Sequence, residues 1–426
     1  MDSKIKGPAA ASINTAPPEI LLQIAKSVPD LRSLHHLALA LPSIYRLWIS
    51  HGSEILREVT SNRSVTTPQV RDLILLVALL RSGEMPVWSF DTFLERFVRP
   101  TLVLNSAPES PCSIPTPTSC PLSVLGTAGR MYHLTHSCLE YYLERLREVQ
   151  PRLQRPVDQG FDYEAPYGPH EMMVPGWLRE VEGIFYETPC MEPPSWIEEQ
   201  VVFRAFWRLQ LLYDFRQAGK QSRLDGWSES DVSRIANLQL DELFPCAHPH
   251  MTTYHEIVSV QEYLDESSGG DLPPQEEASK EDVGLAEIPD DAWSWVLRSG
   301  TVRHLQYSPN GLLNRGPVHL ALHGLISRDE SPINGVSFSV FRRLGFALWD
   351  NQRLATLQLA DEPLYVGQET TLRKRPSQFW FSWRSILSEE ELAVVVNRLS
   401  DAEDEVTRQG RLDLERHGLD YFVRNE

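Results

Sequence analysis

Positive charge is in short supply in this 426-residue chain: 40 lysines and arginines stand against 58 aspartates and glutamates, a formal net charge of −18. Nucleic-acid affinity rests on cationic contacts with phosphate, and anionic membrane surfaces also attract clustered basic side chains. The balance therefore argues against both as partners. Cysteine is scarce as well. Cys112, Cys120, Cys138, Cys190 and Cys246 are odd in number and none stands in a C-x-x-C pair, a pattern of reduced thiols rather than of a disulfide framework. Long apolar runs are missing: the most apolar, Leu73 to Leu80, falls far short of the roughly 20 residues that span a bilayer. Residues 1–16 have no apolar centre and read as a flexible leader, not a secretory signal.

Catalytic signatures are missing too. There is no G-x-S-x-G elbow, no phosphate-binding G-x-x-x-x-G-K-[ST] loop, no H-E-x-x-H and no G-x-G-x-x-G. No two carboxylates are spaced to share a buried face for acid–base work. The expectation is a protein of the cytoplasm or nucleus, with no cofactor and no catalytic centre of its own. The short basic run Arg373–Arg375 is the one hint of a nuclear address.

What the chain does have is apolar bulk: 42% hydrophobic residues, including 11 tryptophans and 15 phenylalanines, enough for a sizeable core. Its densest short unit is Pro17 to about Trp48, which reads as three brief helices. Pro17-Pro18 suits a first turn whose N–H groups lack partners, and Ile20, Leu21, Ile24 and Val28 make one apolar stripe with Leu22 off it. Asp30 is placed to cap a second helix lined by Leu31, Leu34, Leu37, Ala38 and Leu41, with Leu39 off that stripe. Pro42-Ser43 breaks the chain before a short third helix, Ile44 to Trp48, and an amphipathic segment, Glu54 to Thr60, prolongs the unit. Three such helices carry more apolar surface than they can bury in one another, leaving Leu22, Leu39 and Trp48 in need of cover. From the residues, that cover is either a partner or the rest of the chain.

The run Pro18-Glu19-Ile20-Leu21-Leu22-Gln23-Ile24, then Pro29, Leu31-x-x-Leu34-x-x-Leu37 and Pro42-Ser43-Ile44-Tyr45-Arg46 resembles an F-box, in the form that heads large filamentous-fungal families. It opens on Pro17-Pro18 where the family usually has Leu-Pro. The resemblance covers about a tenth of the chain. It implies a three-helix head at 17–61 that docks on the Skp-type adaptor of a cullin-RING ubiquitin ligase, with Pro18, Leu21, Leu22, Ile24, Leu34 and Leu37 facing the adaptor or packing the hairpin. It further implies that the remainder captures an unidentified protein substrate. Two other readings stand beside this one: an F-box-like scaffold that acts outside any ligase, its head packed on its own body, and a motif-poor, metal-assisted enzyme.

The rest of the chain is expected to be mainly α. A helical body over 62–260 contains a helix at Val70–Leu80, introduced by Thr67-Pro68 and closed by Gly83, and others at Phe90–Val98, Met131–Val149, Ser195–Gln217, Ser228 to about Phe244 and Thr253–Leu264. Pro100–Pro121 is rich in proline and serine and reads as a tether, and 151–194 as an irregular connector. In Ser195–Gln217 the apolar residues cover most of the circumference, which places that helix inside a core. Residues 261–291 hold 11 acidic residues against one lysine, the signature of a disordered linker. Beyond it, 292–426 is expected to form a C-terminal helical region that packs on the body, with helices at Asp290–Ser299, Pro317–Ser327, Val336–Trp349 and Ser388–Gln409. Phe379–Trp383 is an isolated strand-like run.

Cys246, His248, His250 and His255 form the only cluster of metal-ligand types, but Cys246 and His248 lack the paired spacing that zinc sites use. Structural or surface histidines are the expectation there. The same holds for His35-His36, whose side chains diverge by about 100° around a helix.

Overall fold

The computed structural model describes residues 13, 16–61, 66–98, 114–149, 153–154, 184–187, 191–244, 252–269, 336–350, 353–354, 357, 385–397 and 401. These are mainly α. They fall into two compact units, Met1–Tyr142 with Pro193–Asn314, and Leu143–Glu192 with Arg315–Glu426.

The first unit begins with α1 (Pro18–Ser27) and α2 (Leu31–Ala40), both packed on α3 (Pro42–Ser61). Asp30 caps α2 as expected, accepting from the Ser33 amide at 2.7 Å and from the Ser33 hydroxyl at 3.0 Å. As expected, the chain breaks at the end of α2, where Leu41 is extended, and Pro42 opens the third helix, which is kinked at a non-helical His51 (φ −131°, ψ 16°) and continues through the segment expected to prolong the unit. Its buried residues include Ile44, Trp48, Ile55, Leu56 and Val59, α1 and α2 both pack on it, and Trp48 is fully buried over Gly52, beside which lies Cys120.

Helix α4 (Pro68–Ser82) has Thr67 as N-cap and ends on Gly83, whose φ of 74° suits the left-handed closing turn. One turn of α-helix, α5 (Phe90–Phe93), widens into a π-turn at Leu94–Val98 where a continuous helix was expected. The following helix, α6 (Leu122–Val149), starts nine residues before the expected Met131. Helix α7 (Trp196–Lys220) opens with a reciprocal capping box. The Ser195 hydroxyl accepts from the Glu198 amide at 3.3 Å, and the Glu198 carboxylate accepts from the Ser195 amide at 2.8 Å. It is buried almost all round and packs against α4, α8 (Glu229–Ala236) and α10 (Thr252–Gly269). The single helix expected from Ser228 to Phe244 is two, α8 and the short α9 (Leu240–Leu243), parted at Asn237. Helix α10 reaches Gly269, so 261–269 is helix and not linker. The acidic residues beyond it, the helices expected at 290–299 and 317–327 and the strand-like run at 379–383 lie outside the described residues.

Arg81 of α4 ties this unit together. It pairs with Asp214 of α7 at 3.0 Å and donates to the Ser123 carbonyl and the Thr127 hydroxyl of α6, at 2.8 and 2.9 Å.

In the second unit, β1 (Leu153–Gln154) and β2 (Ile184–Phe185) make a two-residue antiparallel ladder inside the stretch read as connector. Helix α11 (Phe338–Arg342) is shorter than expected and gives way to tight turns. The Trp349 indole N–H donates to the Leu344 carbonyl at 2.7 Å, folding back over Gly345. A Cβ there would lie 2.7 Å from the indole, and φ is +79°, so only glycine fits. The helix α12 (389–397), inside the expected Ser388–Gln409, opens on a capping box of Ser388 and Glu391. Glu391 also pairs with Arg343 at 2.8 Å.

Candidate functional site

The head carries the candidate site, and its geometry follows from how three helices share one interior. In α1 the buried residues are Leu21 and Ala25, so of the expected stripe of Ile20, Leu21, Ile24 and Val28 only Leu21 is fully inside. Ile20 is consequently 51% exposed, and Leu22 and Ile24 are half-buried. In α2, Leu31, Leu34 and Ala38 face inward, Leu37 is half-buried, and Leu39 is 68% exposed. In α3, the buried face of Ile44 and Trp48 leaves Tyr45 and Ile49, one turn apart, 41% and 65% exposed. The Lys26–Glu54 ion pair, at 2.6 Å, locks the end of α1 to α3.

Of the six residues singled out by resemblance, Leu21 and Leu34 are therefore core, Leu22, Ile24 and Leu37 lie at its margin, and Pro18 is exposed. The outward apolar set is Ile20, Leu39, Tyr45 and Ile49. Only Leu39 was singled out in the sequence as surplus. The Tyr45/Ile49 pair follows from α3 being long enough for a four-residue spacing to define an outer face.

The opposite side of α2 rests on the body. The Arg32 guanidinium lies 4.1 Å from the centroid of the Tyr132 ring on α6, and Leu31 lines a small cleft with Thr66, Ile74, Ala128, Tyr132 and Phe203. His35 is half-buried against α6 rather than on the open surface, and burial, with His36 beside it, holds its pKa below the ordinary value.

A second cluster of charged side chains lies deep in the first unit, and sequence reasoning missed it. Glu256 of α10 accepts from Arg204 at 2.8 and 3.0 Å and from Arg208 at 3.2 Å, and all three are buried. Burial, then Arg204, pulls the Arg208 pKa down to about 9 against the opposing pull of Glu256. The signal was present in Glu198, Glu199, Arg204, Arg208 and Asp214, which interrupt an otherwise apolar helix. The arginines, four apart, share one face. With both guanidinium groups on one buried carboxylate, the cluster ties α7 to α10 in the core.

Of the candidate metal ligands, His255 is buried on α10, while Cys246, His248 and His250 lie outside the described residues. Among the described residues no group of three or more histidine, cysteine or acidic side chains is placed to hold a metal ion, and no helix is long and apolar enough to cross a membrane. No protein-family model, no curated protein and no solved structure matches the chain.

Proposed function

We propose that the chain is a substrate-receptor subunit of a cullin-RING ubiquitin ligase: the head docks on a Skp-type adaptor, and through it on a cullin, while the helical body brings an unidentified protein to be ubiquitylated. The chain itself is not a catalyst on this reading. The observation that carries it is the outward apolar set of the head. Ile20, Leu39, Tyr45 and Ile49 are four large side chains left 41–68% exposed within about thirty residues, apolar surface of the kind that a partner can cover. The resemblance of Pro18–Arg46 to an F-box supplies the kind of partner.

The test is co-elution of the full chain with a Skp-type adaptor, followed by Leu39→Asp and Ile49→Asp. Both positions are mostly exposed, so the substitutions leave the fold nearly unchanged. Each removes an apolar contact of about 1.5–3 kcal/mol, which weakens binding by roughly tenfold or more. Wild type that never co-elutes refutes the reading. Leu21→Asp is no substitute, because Leu21 is 3% exposed and its loss reports on folding.

A second reading has an observation of its own. The packing of Arg32 on Tyr132 and of His35 on α6 makes the head part of the body's fold, as a scaffold outside any ligase requires. That reading expects the outward residues to remain unprotected from exchange when adaptor is added.

A further inference from the structure

Histidine is the side chain whose charge changes near neutral pH without any perturbation, and four of the chain's 13 sit on two helices that meet: His35 and His36 on α2, His133 and His136 on α6. The seam between these helices has little room. A Cβ at Gly129 would come within 3.1 Å of His35 Nδ1, and one at Gly126 within 3.8 Å of its Nε2, so the imidazole occupies space that two glycines leave open. Three residues earlier on α2, Arg32 covers Tyr132. One turn further along α6, the His136 ring lies 4.7 Å from the same Tyr132 ring, tilted by 60°. His136 Nδ1 is 3.9 Å from Glu199 Oε1 of α7, and Nε2 is buried with no hydrogen-bond partner among the described residues.

We propose that this seam is acid-sensitive: neutral His35 and His136 keep α2 docked on α6, and proton uptake by the two imidazoles releases the head from the body.

The charges around each imidazole set the direction. His136 is met by Arg32 from α2, by His133 and Glu140 from α6 and by Glu199 from α7. His35 is met by His36 on its own helix and, from α6, by the two glycines, which bring no carboxylate. Tyr132 between them faces Arg32, Glu199 and Asp30. A proton on His136 would add a cation beside Arg32 in a poorly hydrated seam, with Glu199 beyond direct hydrogen-bond reach. A proton on His35 would sit against uncharged backbone.

Burial, helped by these neighbouring cations, holds both imidazoles below their ordinary value. Once α2 lifts away they titrate near 6.5 again, so the released head binds more protons than the docked one. Docking is therefore complete above about pH 6.5 and is lost as the pH falls below it. For each histidine, every unit of depression changes the docked-to-released ratio about tenfold at pH values below both pKa values. The inference stands whatever the head docks on.

The test uses the full chain and hydrogen exchange by mass spectrometry, with peptides of α2 compared with those of α7 in the same sample so that the intrinsic pH dependence cancels. Between about pH 7.5 and 5.5, α2 should lose protection relative to α7, and the doubly substituted His35→Gln, His136→Gln chain, which cannot charge there, should not. If that variant does not fold, exchange at the imidazole C2 position of the wild-type protein gives each histidine's pKa. His35 and His136 should both titrate below 6.5, and Arg32→Met should raise His136. Protection of α2 that follows α7 throughout, imidazoles that titrate at or above 6.5, or an Arg32→Met chain with His136 unmoved would each overturn the proposal.

Discussion

Substituting Glu256 by glutamine tests the packing account where the structure commits most. The side chain keeps its size, so the change removes charge rather than volume. In the wild type the carboxylate takes three charge-assisted hydrogen bonds, two from Arg204 and one from Arg208, with Glu256 and Arg204 essentially sealed from water. Without it two guanidinium groups stay buried beside each other. Arg208 is already held down to about 9 by burial and by Arg204, with Glu256 the group that opposes this. Removing one partner of a buried ion pair costs about 3–5 kcal/mol, a large share of the ~5–15 kcal/mol that holds an ordinary domain together. In a urea titration followed by tryptophan fluorescence and far-ultraviolet circular dichroism, the midpoint of the first unit should fall by roughly 1–2 M. Replacing all three members by apolar residues (Arg204→Met, Arg208→Met, Glu256→Leu) should cost less than Glu256→Gln alone, because no buried charge is then left over. A Glu256→Gln protein within about 1 kcal/mol of wild type would mean that the buried pair does not hold α7 to α10, since the low end of the expected cost is about three times larger.

Gly219→Ala should destabilise the protein by about 1–3 kcal/mol, even though alanine is the better helix former by up to ~1 kcal/mol. Its Cβ would sit 2.7 Å from the Ala236 amide nitrogen and 3.1 Å from the Val232 carbonyl, both rigid backbone of α8; a raised urea midpoint would contradict this. The Cys120 thiol is pushed up to about 12 by burial, and Cys138 is driven well up by burial alone. Since the thiolate is the reactive form, neither should take up iodoacetamide at about pH 8 until urea unfolds the chain, and labelling of the native protein at the rate of an exposed thiol would count against the packing of the 114–121 segment and α6. Arg81→Met should loosen α4, α6 and α7 together by about 1–3 kcal/mol per lost charged hydrogen bond, read as faster exchange in all three helices; an effect confined to α4 would contradict the tie that Arg81 makes.

What the sequence disclosed was mostly local chemistry. Asp30 and Thr67-Pro68 mark helix starts by bonds between residues three apart, Gly83 marks an end by its left-handed turn, and the structure has each of them. The burial of α7 was equally legible, because an aromatic residue on nearly every side leaves no face for water. Features that depend on distant residues were not. The interruption at His51 between Trp48 and the amphipathic Glu54–Thr60 segment was legible, but not that the two stretches join across a single kinked residue. The pairing of Arg204 and Arg208 with Glu256 joins residues about fifty apart in sequence, and no local pattern encodes it. The expected apolar stripe of α1 held both Ile20 and Leu21, which are equally apolar, and only packing on α3 decides that Leu21 turns inward while Ile20 stays 51% exposed.

Docking of the head's outward apolar residues on a Skp-type adaptor, as proposed, is read by hydrogen exchange of the full chain with and without a purified adaptor. Co-elution is expected together with new protection in peptides that cover Ile20, Leu39, Tyr45 and Ile49, and no change in α7. An adaptor that leaves every head peptide exchanging at its free rate, at concentrations well above those of ordinary receptor–adaptor complexes, would contradict it.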